Sequence, residues 1–229
     1  MEQEFIRWSV PHWAALIVIA AAAAAMLLCG LRMPQEGRNR LCRGLAVLIL
    51  LVMALEYAWR AFSSDYPGPW QNNLPLHYCS IMAFISAWAL WQRPSWACGQ
   101  VYFSVLAASA QALITPALAA DWPRAPFFFF FSSHGLLFLA ALAVPVLLGW
   151  RARGYDDLRA VLIGDIYLTI VAPLNLWLGT NYGFTQAAPV QGSMLDLLGP
   201  APWYYLWLQL PAWGIFRLLF LFVHDKTEE

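Results

Sequence analysis

The stretch NNLPLHYCSIMAFISAWAL, residues 72–90, opens on amides, a proline, a histidine and a cysteine, then runs apolar to its end. An apolar run of that length is either a buried core helix or a segment that crosses a bilayer. What surrounds it decides between the two. Six further runs of about 20 mostly apolar residues repeat along the chain, which no soluble core requires. Hydrophobic residues make up 61% of the sequence and charged residues 11%, too little charge to cover a soluble surface of this size. The chain therefore reads as all-α: a polytopic membrane protein of seven transmembrane helices forming one domain over 1–229. A formal net charge of zero gives no overall basic field for nucleic acid.

The expected spans are 11–31, 41–62, 74–91, 95–118, 126–150, 158–178 and 202–223. Turn and charge signals separate them, among them RMPQEGRNR, SSDYPGPWQNN, RARGYDD and a long stretch from Gly179 to Pro202. The first span is taken as an anchor rather than a signal peptide, because the segment before it is net acidic. Arginine placement sets the orientation. Arg32, Arg38, Arg40, Arg43, Arg93, Arg151, Arg153, Arg159, Arg217 and Lys226 fall on one side, against Arg7, Arg60 and Arg124 on the other. The positive-inside rule then puts the N-terminus outside and the C-terminus in the cytoplasm.

With that orientation, the polar residues of several spans collect in the outer half of the bilayer. They are Glu56, His77, Cys79, Gln111, Thr115, His134 and Asn175, with Asn181 and Tyr182 just beyond span six. Intramembrane ionisable groups are site candidates, although Glu56 with Arg60 four residues on also reads as a plain ion pair. Gln111 and Asn175 can equally serve as bonds between helices. Phe127–Phe131 reads as lipid-facing bulk, and His12 and His224 as interfacial packing. Cys29, Cys42 and Cys98 lie toward the opposite surface, so Cys79 has no disulfide partner.

Cys79 near a histidine offers a nucleophile and a base. Residues two apart on a helix point about 200° apart, so His134 on another span is the better base if residue 77 is helical. Pro75 biases Leu74 away from helix, however, and an extended LPLH segment would leave His77 freer to turn. Two histidines can also act without a covalent step, as acid and base. A zinc or haem site would draw on the same residues, but no HxxxH or CxxC spacing is present and no metal or cofactor is expected.

The segments LPLHYCSIMAF, AASAQALITPAL, FFFFSSHGLLFLA, NLWLGTNYGF and GSMLDLLGPAPWYYL together resemble the YwaF-type bacterial integral membrane family. That family is similar to the animal TMEM-type acyltransferases that remodel ether phospholipids. The resemblance covers roughly residues 45–215 and implies a seven-helix fold with acyl transfer between phospholipids. His77 and Cys79 match the family's LPLH-x-C segment and His134 its SHG. Asn175, Asn181 and Tyr182 match the end of span six, and Ser193, Asp196, Pro202, Trp203 and Tyr204 the start of span seven. Ser80 departs from it, standing where members often carry an acidic residue.

The resulting expectation is a lipid acyltransferase of the bacterial cytoplasmic membrane, multi-pass, acting on membrane phospholipids in the outer leaflet. Catalysis falls to Cys79, His134 and His77. Substrate binding falls to Gln111, Asn175, Asn181, Tyr182 and Glu56. The competing readings are a transporter or lipid-binding protein without chemistry, a metal- or haem-binding membrane protein, and a structural membrane subunit.

Overall fold

The computed structural model describes residues 5–63 and 69–225. Among them are seven helices long and apolar enough to cross a membrane, and no strand. We number them α1 (Val10–Arg32), α2 (Gln35–Phe62), α3 (Tyr78–Gln92, the α-helical part of the span Trp70–Gln92), α4 (Ser95–Ile114), α5 (Ala125–Val146), α6 (Asp156–Leu178) and α7 (Tyr204–Val223). The middle of the SSDYPGPWQNN turn and Lys226 lie outside the described residues.

Local chemistry sets the boundaries. α1 starts at an N-cap serine, Ser9, whose hydroxyl accepts from the His12 amide at 3.4 Å, with Pro11 in the first turn. The expected loop RMPQEGRNR shrinks to two residues, because α2 begins at Gln35, directly after Pro34. Arg38 then reaches back to the Gly30, Leu31 and Met33 carbonyls and satisfies the end of α1. α3 begins only at Tyr78, since Pro75 keeps the preceding residues out of the helix. Pro116 does the same to Thr115, so α4 stops at Ile114 rather than 118. α5 ends at Val146 rather than 150, one residue after Pro145.

The core is built around α5. That helix packs on α1, α2, α3 and α4, and Ala140, Ala141, Ala143 and Val144 are fully buried along it. Small residues permit this approach. At Gly135 an added Cβ would sit 2.9 Å from Ile19 Cγ1 of α1. Phe127 and Phe131 are buried in the same region while Phe128 is exposed, so the phenylalanine run divides between core and lipid instead of facing lipid throughout. His12 is fully buried: its Nδ1 accepts from the Trp8 amide, leaving Nε2–H to donate to the Leu113 carbonyl at 2.9 Å. That bond ties the start of α1 to the end of α4.

α6 and α7 pair with each other and lean on α4. Phe103 of α4 stacks on Phe216 of α7, ring centroids 5.7 Å apart, within a cluster that includes Ala160 and Phe220. Tyr167 of α6 meets Tyr78 of α3, ring centroids 5.0 Å apart, but between the α6–α7 pair and the rest of the bundle a space remains that reaches from Phe184 down to Ala160 and Phe216. A cavity of about 510 Å³ fills the gap, lined by residues of α2 through α7 and of the loop between α6 and α7.

Candidate functional site

Cys79 is the second residue of α3 and opens onto this cavity. Facing it from α5 is His134, nine residues into that helix, or about 13 Å along its axis. Its Nδ1 lies 2.9 Å from the Phe130 carbonyl oxygen. A carbonyl can only accept, so Nδ1 carries the proton and Nε2 presents a lone pair. The Cys79 thiol is within hydrogen-bonding reach of that imidazole. A thiol, an imidazole of fixed tautomer and a carbonyl that orients it are thus brought together at the wall of an apolar cavity.

His77 sits at the N-cap of α3 with extended backbone (φ −62°, ψ 145°), outside the helix, but LPLH is not extended throughout: Pro75 and Leu76 turn, the Leu76 amide donating to the Leu74 carbonyl at 2.8 Å. Its ring packs edge-on against Tyr182, centroids 4.9 Å apart, and also lines the cavity. Among the described residues its nitrogens have no hydrogen-bond partner, which leaves them directed to whatever enters. Glu56 and Arg60 line the cavity from α2 as a short ion pair, and Arg60 lies over the Tyr57 ring. Gln111 lines it from α4, its side-chain amide donating to Thr115 Oγ1 at 2.8 Å on the same helix rather than to a neighbouring one.

Asn175, Asn181 and Tyr182 stand behind this wall. Asn175 is buried, and its amide donates to the Tyr182 carbonyl at 2.8 Å and Thr185 Oγ1 at 2.6 Å. Its carbonyl accepts from the Tyr182 amide at 2.9 Å and the Thr180 hydroxyl at 2.7 Å. Tyr182 carries the connection onward: its hydroxyl donates to the Gln71 carbonyl and accepts from the Leu74 amide. Asn181 closes the next turn through Gln186 and Ala187. The three residues hold the loop after α6 against the segment that delivers His77 and Cys79.

Sequence reasoning missed several lining groups. Tyr57 and Ser80 pair at 2.9 Å between α2 and α3. The Tyr78 hydroxyl donates to Ser104 at 2.8 Å, and the Gln100 amide bridges both. Tyr167 of α6 donates to the Leu76 carbonyl at 2.8 Å, pinning the turn before α3. Asp165 accepts from Gln209 of α7 at 2.9 Å. The Asp165 carboxylate is legible in the sequence as a charge inside span six, although apart from the polar cluster of the other spans. The tyrosines and serines are not, because such residues are common in membrane helices and only packing shows which way they face. No group of three or more His, Cys, Asp or Glu side chains is placed to hold a metal ion among the described residues.

Comparison with known proteins gives one result. Neither the curated proteins nor the solved structures contain a match. Residues 7–220 match the TMEM164 family, nearly the whole chain including every element of the cavity wall. This multi-pass helical chain therefore belongs to the TMEM164 family.

Proposed function

We propose that the protein is a membrane-embedded acyltransferase that moves a fatty acyl group from a phospholipid to a lysolipid-like acceptor at the Cys79–His134 site. The observation that carries this reading is the pairing of the thiol with a histidine whose Nδ1 is committed to the Phe130 carbonyl. An imidazole held in that tautomer is oriented to take a proton from sulfur. The cavity supports the substrate class, because its wall is mostly apolar and polar groups converge on the thiol.

The reaction needs no co-reactant. His134 Nε2 takes the thiol proton as sulfur attacks the ester carbonyl. The ester C–O bond breaks, the leaving lysolipid oxygen takes the proton back from His134, and a thioester remains on Cys79. An acceptor hydroxyl then gives its proton to His134 and attacks the thioester. The C–S bond breaks, and the thiol recovers its proton. His77, Gln111 and Glu56 line the cavity; in this reading His77 assists the second transfer, and Gln111 and Glu56 contact the ester and head group. Asn175, Asn181 and Tyr182 act by holding the segment that carries Cys79. With the N-terminus outside, the site opens toward the outer leaflet of a bacterial cytoplasmic membrane.

The thioester is the test. Purified protein in lipid nanodiscs, given a labelled phospholipid without acceptor, should yield a hydroxylamine-sensitive acyl group on the Cys79 peptide by mass spectrometry. Acylation confined to other cysteines, or none in the presence of turnover, would rule out the covalent route.

A further inference from the structure

α4 is not uniform. Its first six residues are α-helical, but Val101–Ser109 winds as a π-helix before the α-helix resumes at Ala110. Most π-helix occurs as single-turn bulges, frequently at functional sites, so nine consecutive residues need a reason. Register supplies one. In an α-helix Ser104 and Ser109, five residues apart, would point about 140° away from each other. The i→i+5 ladder of a π-helix brings residues five apart onto nearly one face. That face meets the first turn of α3, and each serine finds one of two consecutive residues there. Ser104 accepts from the Tyr78 hydroxyl at 2.8 Å, and Ser109 Oγ lies 4.0 Å from Cys79 Sγ.

Ser109 is 1% exposed and is not part of the cavity wall, so it approaches the sulfur from behind, away from the substrate space. It has no other side-chain partner among the described residues. Either atom of this contact can donate, but once the thiol has given its proton to His134, as in the mechanism above, the sulfur can only accept and the serine O–H donates. We infer that the π-helical register of α4 seats the Ser109 hydroxyl against Cys79, making Ser109 a positioning residue that donates a hydrogen bond to the sulfur as it becomes a thiolate. This rests on the reading of Cys79 as the nucleophile. The ionisable groups that also face the sulfur are His134 from α5, Glu56 from α2, Tyr78 beside it on α3 and Tyr167 from α6. Ser109 is not ionisable, so a displacement that depends on it does not come from its own titration.

Alkylation of Cys79 by a small apolar maleimide, followed peptide by peptide over a pH series in the full-length protein in nanodiscs, reads the thiolate directly. A hydrogen bond to an ionised group is worth enough that Ser109→Ala should slow alkylation of Cys79 near neutral pH about tenfold. Its pH profile should move upward while the limiting rate at high pH is kept. Ser109→Thr should restore most of the lost rate. Ser104→Ala, which removes the neighbouring serine of the same segment, should leave the Cys79 profile in place. An unchanged profile in Ser109→Ala would overturn the inference, and so would an equal displacement in Ser104→Ala. Acyl transfer is assayed in the same samples. A Ser109-dependent profile in a wild-type protein that transfers no acyl group would remove the proposed activity and leave the seating of Ser109 standing.

Discussion

Asn175 spends its hydrogen-bonding capacity on its own loop: two donors and two acceptors are matched by four partners within ten residues of chain. Removing the side chain strands buried groups on Thr180, Tyr182 and Thr185, each at a cost of about 1–3 kcal/mol. Asn175→Ala should therefore lower stability by about 3 kcal/mol, seen as a lower unfolding midpoint in detergent. An unchanged midpoint with lost lipid binding would instead make Asn175 a substrate contact. The sequence showed that Asn175 belongs to the same end of the bundle as Cys79 and His134. It did not show that its side chain turns into the loop, since that direction follows from positive φ at Gly179 and the turn after it. Cys79 and His134 were legible as a pair because both are rare, chemically loaded residues in apolar runs. The tautomer of His134 was not, because it depends on a carbonyl one turn away on the same helix.

At the scale of elements, hydropathy located all seven spans, and local chemistry explains where they end differently. Pro75 and Pro116 each shorten a helix relative to its apolar run, α5 ends ahead of Gly149 with its φ of 71°, and Pro34 lets α2 begin inside a charged stretch. The π-segment of α4 was invisible to periodicity, because an all-apolar helix buried on most sides has no polar face whose drift would betray a change of pitch. Close crossings are equally silent until seen. α1 and α5 approach at Gly135, where Ile19 leaves no room for a branched side chain. Overpacking of this kind costs about 1–3 kcal/mol. Gly135→Val should lower the unfolding midpoint accordingly, and an unaltered midpoint would mean that the two helices separate freely. Because α5 also carries His134, reduced acyl transfer is expected from the same variant even where it remains folded.

For the whole molecule, the orientation argued from arginine placement predicts which end faces the cell exterior. Val190 in the loop after α6 is 98% exposed, and Tyr155 at the start of α6 is 75% exposed, at the opposite end of that helix. A membrane-impermeant maleimide should label Val190→Cys in intact cells and Tyr155→Cys only after lysis. The reverse pattern would place the site toward the cytoplasm and change the leaflet it draws from. Neither the cavity nor its depth was legible in the sequence, since both arise from how α6 and α7 pack against the other helices, leaving a space from Phe184 down to Ala160 and Phe216.

Acyl transfer through Cys79 and His134 is tested best by direct turnover. Wild type, Cys79→Ala and His134→Ala would be placed in nanodiscs with a labelled phospholipid donor and several lysolipid acceptors, and products followed by mass spectrometry. The account predicts transfer by wild type, none by Cys79→Ala, and a loss of at least about a hundredfold in His134→Ala, the usual worth of a positioned base. Transfer that survives in both variants, or is absent from the folded wild type with every donor and acceptor, would contradict it.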